Sequence, residues 1–344
     1  MGRIAEVTAI TDKVTAESFL GRKPSPALVR AVALRADELR FLDPPAALGI
    51  AEAALTAQAK LPKRSRWPRL VALAWWTYGS ICRALARFDE AEAALLFAAR
   101  VLPPEDEHNR AEVLRRLAYL RADQRRQDEA CGMIDAVLEF QRAQGGGPEL
   151  GKELVASTAV HTRFGNYERV VADAEEALSL LPHNGDPFYL SAVYNLASAR
   201  LELSSNREEL RAVALRVAEA GRFAQPGTFI ELRMHWLIGK LMRRLGKLDQ
   251  AVAALERARV GIEERSNGFE RALLMLDLAE VHLERGDAGS ARTLALTSLG
   301  VMQALRNETE AYKALKVLHE AAAELALDRE TVRTVRAALV AACT

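Results

Sequence analysis

A small apolar signature recurs about every 40 residues along this 344-residue chain. Its clearest copy consists of Trp75, Tyr78, Gly79, Cys82, Phe88, Ala91, Leu95, Ala98 and Pro103. A fixed period of this length is typical of a solenoid of stacked helical hairpins. Because such a fold has no single central core, we expect function on a surface rather than in a catalytic pocket.

The most restrictive member of the signature is a small residue early in the second helix of each pair, where two helices approach too closely for a large side chain. It recurs at Ala91, Ala130, Val170, Ala251 and Ala291, and less cleanly at Ala47 and Thr331. A second small residue follows two helical turns later, on the same stripe. These second positions are Ala54, Ala98, Ala177, Ala258, Ser298 and Ala338, with Val137 as the exception.

The first helix of each pair carries an apolar residue followed directly by a small one. These pairs are Tyr78-Gly79, Leu117-Ala118, Ile238-Gly239 and Leu278-Ala279. We interpret them as positions of closest helix approach, which build the fold and bind nothing.

These residues resemble the tetratricopeptide repeat, whose pattern sets Trp, Leu-Gly and Tyr in the first helix and Ala, Phe, Ala and Pro in the second. The matching stretches are Trp75 to Pro103, Leu114 to Val137, Leu154 to Pro182, Ile238 to Ala258 and Met275 to Leu299, with weaker ones at Ala27 to Pro62 and Leu190 to Arg222. The resemblance implies an all-α fold, a right-handed superhelical solenoid of about eight antiparallel helix pairs.

The spacing of the small residues exceeds that of the standard repeat. Ala91 and Ala130 lie 39 residues apart and Ala251 and Ala291 lie 40 apart, against about 34 in the standard repeat. Helices or connections are therefore expected to be longer. By resemblance, arrays with this spacing are familiar from bacterial regulatory and signalling proteins.

The repeats predict one continuous solenoid over residues 25–344, with hairpins starting near residues 28, 72, 111, 151, 190, 232, 272 and 312. Ser25-Pro26 predicts a helix start, and Gly165, Gly246 and Gly286 predict left-handed turns inside hairpins. Residues 1–24 form an N-terminal arm or capping helix with apolar positions Ile4, Val7, Ile10, Val14 and Phe19, or alternatively a segment that docks a partner. Val332, Val335, Leu339 and Ala342 are expected on one face of a closing helix.

Composition narrows the function classes. Lys and Arg number 47 against 46 Asp and Glu, so no bulk field attracts nucleic acid or anionic lipid. No apolar stretch predicts a membrane span or secretory signal, and we expect a cytoplasmic protein. The cysteines at positions 82, 131 and 343 suit neither a metal site nor a disulfide set.

The sequence contains partial enzyme motifs, but the residues around them do not suit the chemistry. We therefore expect no catalytic residue, metal or cofactor. Gly146, Gly151 and Lys152 have the spacing of a phosphate-binding loop, but Glu153 replaces the Ser or Thr that would bind magnesium, and the preceding segment is predicted to be helical. No two of the six histidines have the i, i+4 spacing that binds zinc on a helix. His161 and His282 are interpreted as core or edge packing.

The candidate binding surface is the concave groove, which in the resembled family is lined by the first helix of each repeat. The candidate partner-binding residues are Trp76, Arg83, Arg115, Tyr119, Lys152, Tyr194, Asn195, Arg233, Trp236, Lys240 and Arg243. They predict a groove with aromatic and basic residues, followed by an acidic stretch at Asp277, Glu280 and Glu284. Such a surface suits a peptide with acidic and apolar residues.

A carboxylate clamp of the kind some tetratricopeptide proteins use is only half present. Asn195 and Arg233 occupy two of its positions, whereas Val155, Ala159 and Leu237 replace the other residues. The specific clamp is therefore disfavoured. The alternative to a binding groove is that these basic residues form only a solvated face with no function in binding.

The leading hypothesis is a non-enzymatic module that binds a peptide or protein segment in this groove. The alternative is a regulatory or inhibitory subunit of a separately encoded enzyme or transcription factor. Nucleic-acid binding is disfavoured by the balanced charge, and self-association is left open.

Overall fold

The computed structural model describes residues 7–21, 23–40, 43–65, 67–183, 185–263 and 268–304, together with positions 314, 316–318 and 320. The structure divides into two compact units, Met1–Asn166 and Tyr167–Thr344. Within the described residues both units are helical and contain no strand. The all-α class predicted from the repeats is therefore confirmed.

Unit 1 (Met1–Asn166) contains eight α-helices within its described residues: α1 (Lys13–Leu20), α2 (Pro26–Leu39), α3 (Pro44–Lys60), α4 (Pro68–Ala84), α5 (Phe88–Val101), α6 (Glu107–Asp123), α7 (Gln127–Ala143) and α8 (Gly147–Thr162). Short 3-10 helices lie at Val7–Ala9 and Lys63–Ser65. Helices α2 and α3, α4 and α5, and α6 and α7 pack as hairpins. The first helices α2, α4, α6 and α8 also contact one another in succession, so their side chains share a surface.

Unit 2 (Tyr167–Thr344) contains seven α-helices within its described residues: α9 (Tyr167–Leu180), α10 (Pro187–Leu203), α11 (Arg207–Gly221), α12 (Phe229–Arg244), α13 (Leu248–Glu263), α14 (Gly268–Glu284) and α15 (Ala288–Ala304). Hairpins pair α10 with α11, α12 with α13, and α14 with α15. The first helices α10, α12 and α14 contact one another in succession. The predicted hairpin near residue 312 and the closing helix at 332–342 lie almost entirely outside the described residues.

Capping residues explain where several helices begin. Ser25 Oγ accepts the backbone N–H of Leu28 at 3.3 Å, with Pro26 in the first helical position, as predicted. Asp186 Oδ1 accepts the N–H groups of Phe188 and Tyr189 at 2.8 and 3.0 Å at the start of α10. A capping side chain and a proline that needs no N–H partner together fix a helix start.

The small residues of the signature lie at the predicted helix contacts. All of those in the described residues are buried, from Ala47 to Ala291 in the first set and from Ala54 to Ser298 in the second; Thr331 and Ala338 lie outside. A Cβ added to Gly79 would lie 3.0 Å from Leu95 Cγ and 3.1 Å from the carbonyl oxygen of Ala91. A backbone carbonyl cannot easily move aside, so a larger residue at Gly79 would strain this contact.

The N-terminal segment packs on the first hairpin of unit 1. Helix α1 contacts α3, where a Cβ at Gly49 would lie 2.9 Å from Lys13 Cβ. Ile10 is buried and Phe19 partly buried against that hairpin, whereas Val14 is 74% exposed. The segment thus covers apolar surface and leaves one valine in solvent.

Five of the turns that follow a first helix contain one residue in the left-handed backbone conformation. Gly165, Gly246 and Gly286 have φ of 70°, 75° and 79°, which confirms the sequence prediction. Ala86 and Arg125 occupy the same place in the turns of α4–α5 and α6–α7, with φ of 57° and 62°. The sequence pattern missed these two, because neither residue favours this conformation.

We expect Gly79→Ala to lower the free energy of unfolding by about 1–3 kcal/mol, the usual range for overpacking a close contact. Gly132→Ala is the matched control in the same unit, because a Cβ there meets nothing within 4 Å and alanine favours the helix by up to about 1 kcal/mol. Urea unfolding followed by circular dichroism measures both. Equal stability of the two variants would contradict the close contact.

We expect Ala86→Gly to stabilise unit 1 by about 1 kcal/mol, because glycine removes the steric cost of the left-handed conformation. Arg87→Gly is the control, because Arg87 has φ of −85°, so glycine there relieves no strain, adds chain entropy to the unfolded state and removes the exposed ion pair with Glu90. Thermal unfolding of the two variants should shift in opposite directions, and a loss of stability in Ala86→Gly would rule out the strained turn.

Candidate functional site

The predicted partner-binding residues lie on first helices in both units. In unit 1 they are Trp76 and Arg83 on α4, Arg115 and Tyr119 on α6, and Lys152 on α8. In unit 2 they are Tyr194 and Asn195 on α10, and Arg233, Trp236, Lys240 and Arg243 on α12. The two groups have different surroundings.

The interpretation of Trp76 as a groove residue is corrected by its burial. Its side chain is only 6% exposed and packs in the core of unit 1, and the Arg116 guanidinium lies over its ring at 5.8 Å. Trp75 is half-buried against Phe97, with ring centroids 4.8 Å apart. Adjacent helical residues point about 100° apart, so packing against α6 buries Trp76 while Trp75 stays half-buried.

Arg83 connects two hairpins of unit 1. Its Nη1 donates to Asp123 Oδ2 at 2.5 Å, and its guanidinium lies 5.4 Å from the ring centroid of Tyr119. The other oxygen of Asp123 accepts from Arg163 Nε at 2.6 Å. Burial raises the pKa of the Tyr119 hydroxyl. Both predicted residues therefore belong to a packed polar contact between α4 and α6.

Arg115 and Lys152 are also paired. Arg115 donates to Glu112 on its own helix and to Glu153 of α8 at 3.0 Å, and Lys152 pairs with Glu149 at 2.7 Å. Burial would raise the pKa of Glu112, but Arg116 and Arg115 together lower it to about 2. Each predicted cation of unit 1 is thus already paired with at least one carboxylate.

Sequence reasoning missed the partners that complete this polar network. They are Asp37, Arg40, Glu112, Arg116, Asp123, Glu153 and Arg163. Several bonds join residues 36 to 40 positions apart, including Arg116 to Ser80 Oγ at 2.7 Å. This is the repeat spacing, so opposite charges one repeat apart were the signal that could have found them. The prediction of a basic surface is wrong for unit 1, because acids on neighbouring first helices balance its cations.

Arg233 of unit 2 lies in an aromatic setting. Its guanidinium is 4.1 Å from the centroid of the Tyr194 ring and 5.7 Å from that of Phe229. Among the described residues it has no ion pair. Its charge acts on Glu270, because burial raises the pKa of that carboxyl and Arg233 partly opposes the shift. Arg233 is a half-buried cation held by rings rather than by a carboxylate.

Lys240 is the second of the predicted cations of unit 2 that have no direct ion pair among the residues that the structure describes. Asp277 raises the pKa of its ammonium group from a distance, against the effect of burial. Asp277 itself accepts the indole N–H of Trp236 at 2.6 Å. Trp236, which packs partly against the core, lies between Arg233 and Lys240 along α12.

Arg243 continues the same helix face but is neutralised. It donates to Glu284 of α14 at 2.8 Å and to Glu280. Burial raises the pKa of Glu280, and Arg243 opposes that shift. The predicted acidic stretch therefore lies directly beside the basic face of α12. Asn195 is half-buried next to Tyr194 on α10.

We name the surface formed by Tyr194, Arg233, Trp236, Lys240 and Asp277 the α10–α12–α14 face. Phe229, Arg233, Trp236, Lys240 and Arg243 follow one another at helical spacing and lie along one side of α12. The face offers cations, aromatic rings and one carboxylate already bound to Trp236.

The comparisons with known proteins agree with this architecture. The quorum sensor NprR from B. thuringiensis, in its apo form, has a TM-score of 0.62 at 12% identity, over 99% of this chain and 97% of that one. A Rap protein complexed with Competence and Sporulation Factor has a TM-score of 0.60 at 11% identity, over 91% and 95%. The tetratricopeptide repeat sensor protein of the signal-transduction ATPase class from Pyrococcus horikoshii has a TM-score of 0.58 at 15% identity.

The chain has a tetratricopeptide-repeat-like fold. It covers 52% of the Pyrococcus protein and so spans about half the length of that relative. No family model matches the sequence, and no curated protein matches it either. At these identities the similarity concerns the fold alone. The candidate residues lie on the first helices of the tetratricopeptide-like hairpins.

Other motifs from the sequence take structural positions. Gly151 and Lys152 lie inside helix α8 rather than in a phosphate-binding loop. His161 is buried next to Asn166 and Cys131, and His282 contacts Asp287 at 3.0 Å. In the described part of the chain, no three His, Cys, Asp or Glu residues are grouped as metal ligands. Every helix in those same ranges is too short or too polar to span a bilayer.

We expect Trp76→Ala to lower the free energy of unfolding of unit 1 by about 3–5 kcal/mol, the usual cost of emptying a buried aromatic position. Trp67→Ala is the matched control, because Trp67 precedes the same helix and is 59% exposed; its effect should stay within about 0.5 kcal/mol. Chemical denaturation measures both. A neutral Trp76→Ala would return this residue to the candidate surface.

Proposed function

We propose that this protein is a non-enzymatic module that binds a peptide or protein segment on the α10–α12–α14 face of unit 2. The observation that carries the proposal is the pair of half-buried cations, Arg233 and Lys240, with no direct carboxylate partner among the described residues. The Tyr194 ring stabilises Arg233, and Asp277 offsets the burial of Lys240 without forming a direct ion pair. Both cations therefore keep N–H donors that an acidic group of a partner can use.

The spacing of the two cations defines the partner. Seven residues of helix separate Arg233 from Lys240 by about 10 Å. Carboxylates about three positions apart on an extended segment, or about seven apart on a helix, match that distance. Trp236 between the cations suits an apolar side chain, so the proposed partner carries acidic and apolar residues together.

The aromatic residues at the edge of the face extend the contact. Phe229 is 37% exposed at the start of α12, and Tyr194 and Asn195 lie on the neighbouring helix α10. Tyr, Trp and Arg supply most of the binding energy in many protein interfaces. Arg243 contributes only if a partner displaces Glu280 or Glu284.

The unit 1 residues Arg83, Arg115, Tyr119 and Lys152 are secondary in this proposal. A partner carboxylate would first have to separate each cation from an acid that already holds it, for example Arg83 from Asp123. Breaking a partly buried ion pair costs more than filling an open position.

A regulatory subunit of a separately encoded effector is the second candidate function. It is supported by the match to the quorum sensor NprR over nearly the full length of both chains. If the protein is such a regulatory subunit, the segment that it binds belongs to a single effector protein. The cytoplasmic location and bacterial origin expected from the sequence belong to the same proposal, and self-association is left as a further alternative.

A phage-displayed random peptide library panned against the immobilised protein tests the binding face. We expect enriched peptides to combine acidic and apolar residues, and fluorescence polarisation then gives their dissociation constants. The double variant Arg233→Gln/Lys240→Gln should weaken binding at least about tenfold, because each charge-assisted contact is worth about 1.5–3 kcal/mol. Arg211→Gln, an exposed cation on α11, is the control and should bind like the wild type.

Circular dichroism checks that the double variant keeps its helices. Failure to enrich peptides of this chemistry, or equal binding by the wild type and the folded double variant, would contradict the proposed face. Loss of binding in Arg211→Gln would point to a general charge effect instead.

A further inference from the structure

A half-open pocket of about 270 Å³ lies within unit 2 between α11, α12 and α13. Helix α12 contributes Glu231, Met234, His235 and Ile238, which follow one another at helical spacing. These residues lie on a different side of α12 from Arg233, Trp236 and Lys240. The pocket is therefore separate from the α10–α12–α14 face, and nothing in the proposed function depends on it.

One end of the pocket is polar and carries both signs of charge. Glu231 Oε1 lies 3.5 Å from His235 Nε2 and 3.5 Å from Arg257 Nη2, which is longer than a normal hydrogen bond. Its other oxygen accepts the backbone N–H of Gly227 at 2.6 Å. Arg222 also lines the pocket. Glu231 therefore has one short hydrogen bond and two long contacts to basic groups, and a ligand's ammonium group can approach Oε1 without breaking a short ion pair.

His235 adds a polar edge without a charge. Burial lowers the pKa of its imidazole, Arg257 lowers it further, and Glu231 only partly opposes the shift. The ring is therefore neutral at pH 7. The net charge of the pocket is then set by Arg222, Arg257 and Glu231.

The other end of the pocket is apolar and closely limited in size. Met234 and Ile238 of α12 line it, with Ala218 and Gly221 of α11 opposite. A Cβ at Gly221 would lie 3.6 Å from Met234 Sδ. The small residues on α11 leave the space open, and an apolar group of a ligand would displace water from it.

The charges favour a ligand that carries both signs. A plain anion would be attracted by Arg222 and Arg257 but repelled by Glu231, and a plain cation would meet the reverse. A zwitterionic α-amino acid matches both signs. Its ammonium and carboxylate groups are bonded to the same carbon atom and therefore lie close together. At about 30 Å³ per water molecule, the pocket holds about nine waters, the size of a compact aliphatic amino acid.

We propose that this pocket binds a free α-amino acid with an aliphatic side chain. The ammonium group contacts Glu231, the carboxylate contacts Arg257 and Arg222, and the side chain lies against Met234 and Ile238. The pocket is a ligand site on the same helix that carries the proposed partner face.

Isothermal titration calorimetry with three probes tests the charge requirement. L-leucine has both charges, isoamylamine keeps the amine and the tail, and 4-methylpentanoate keeps the carboxylate and the tail. We expect leucine to bind at least about tenfold more tightly than either analogue. Equal binding by 4-methylpentanoate or isoamylamine, or no binding of leucine at millimolar concentration, would overturn the proposal.

Two variants locate the site. Arg257→Gln should abolish leucine binding without unfolding, because Arg257 is 67% exposed. Glu231→Gln should also abolish it while its amide oxygen keeps the bond from Gly227. Arg216→Gln, an exposed cation of α11 that does not line the pocket, is the control and should bind leucine normally. Wild-type affinity in both Arg257→Gln and Glu231→Gln would exclude this pocket.

The double variant Arg233→Gln/Lys240→Gln separates the two proposals. It should lose peptide binding and keep leucine binding. Loss of leucine binding in this variant, with its helices intact, would show that the amino acid binds elsewhere and would overturn the pocket assignment.

Discussion

The close approach of paired helices at small residues is the contact on which the rest of the structure depends. A Cβ on Gly79 would press on the carbonyl of Ala91, and one on Gly239 would lie 2.5 Å from Leu255 Cγ. Because a larger side chain would strain these contacts, small residues at these positions fix how a first helix lies on its second helix. The remaining faces of the first helices are then available for charged and aromatic side chains, which decide what each unit can bind.

The cations on the first helices have different partners in the two units. In unit 1, Arg83 reaches Asp123 and Arg115 reaches Glu153, so ion pairs link successive first helices. In unit 2, Arg233 is held by Tyr194 instead of by a carboxylate. A charge that is already paired offers a partner little, because the existing pair must be broken first. This difference is why the proposed binding face is in unit 2.

Helix α12 illustrates how one helix serves several purposes. Its 3.6-residue period separates a buried stripe through Leu232 and Gly239, the face with Arg233 and Lys240, and the pocket side with Glu231 and His235. A side chain that changes on one stripe leaves the others in place unless it alters helix packing. The peptide face and the amino-acid pocket are therefore expected to be separable by substitution, even though they share a helix.

The sequence by itself determined the helical hairpins, their small contact residues and the helices on which candidate residues lie, because these follow from patterns within one or two helical turns and from a regular repeat. Tertiary structure decided which of two adjacent tryptophans is buried, since Trp75 and Trp76 differ only in direction around α4. It also decided which cations are paired. The carboxylate that neutralises Arg83 lies 40 positions away, whereas Lys240 has no direct ion pair in the part of the chain that the structure describes, and no local pattern distinguishes these two cases.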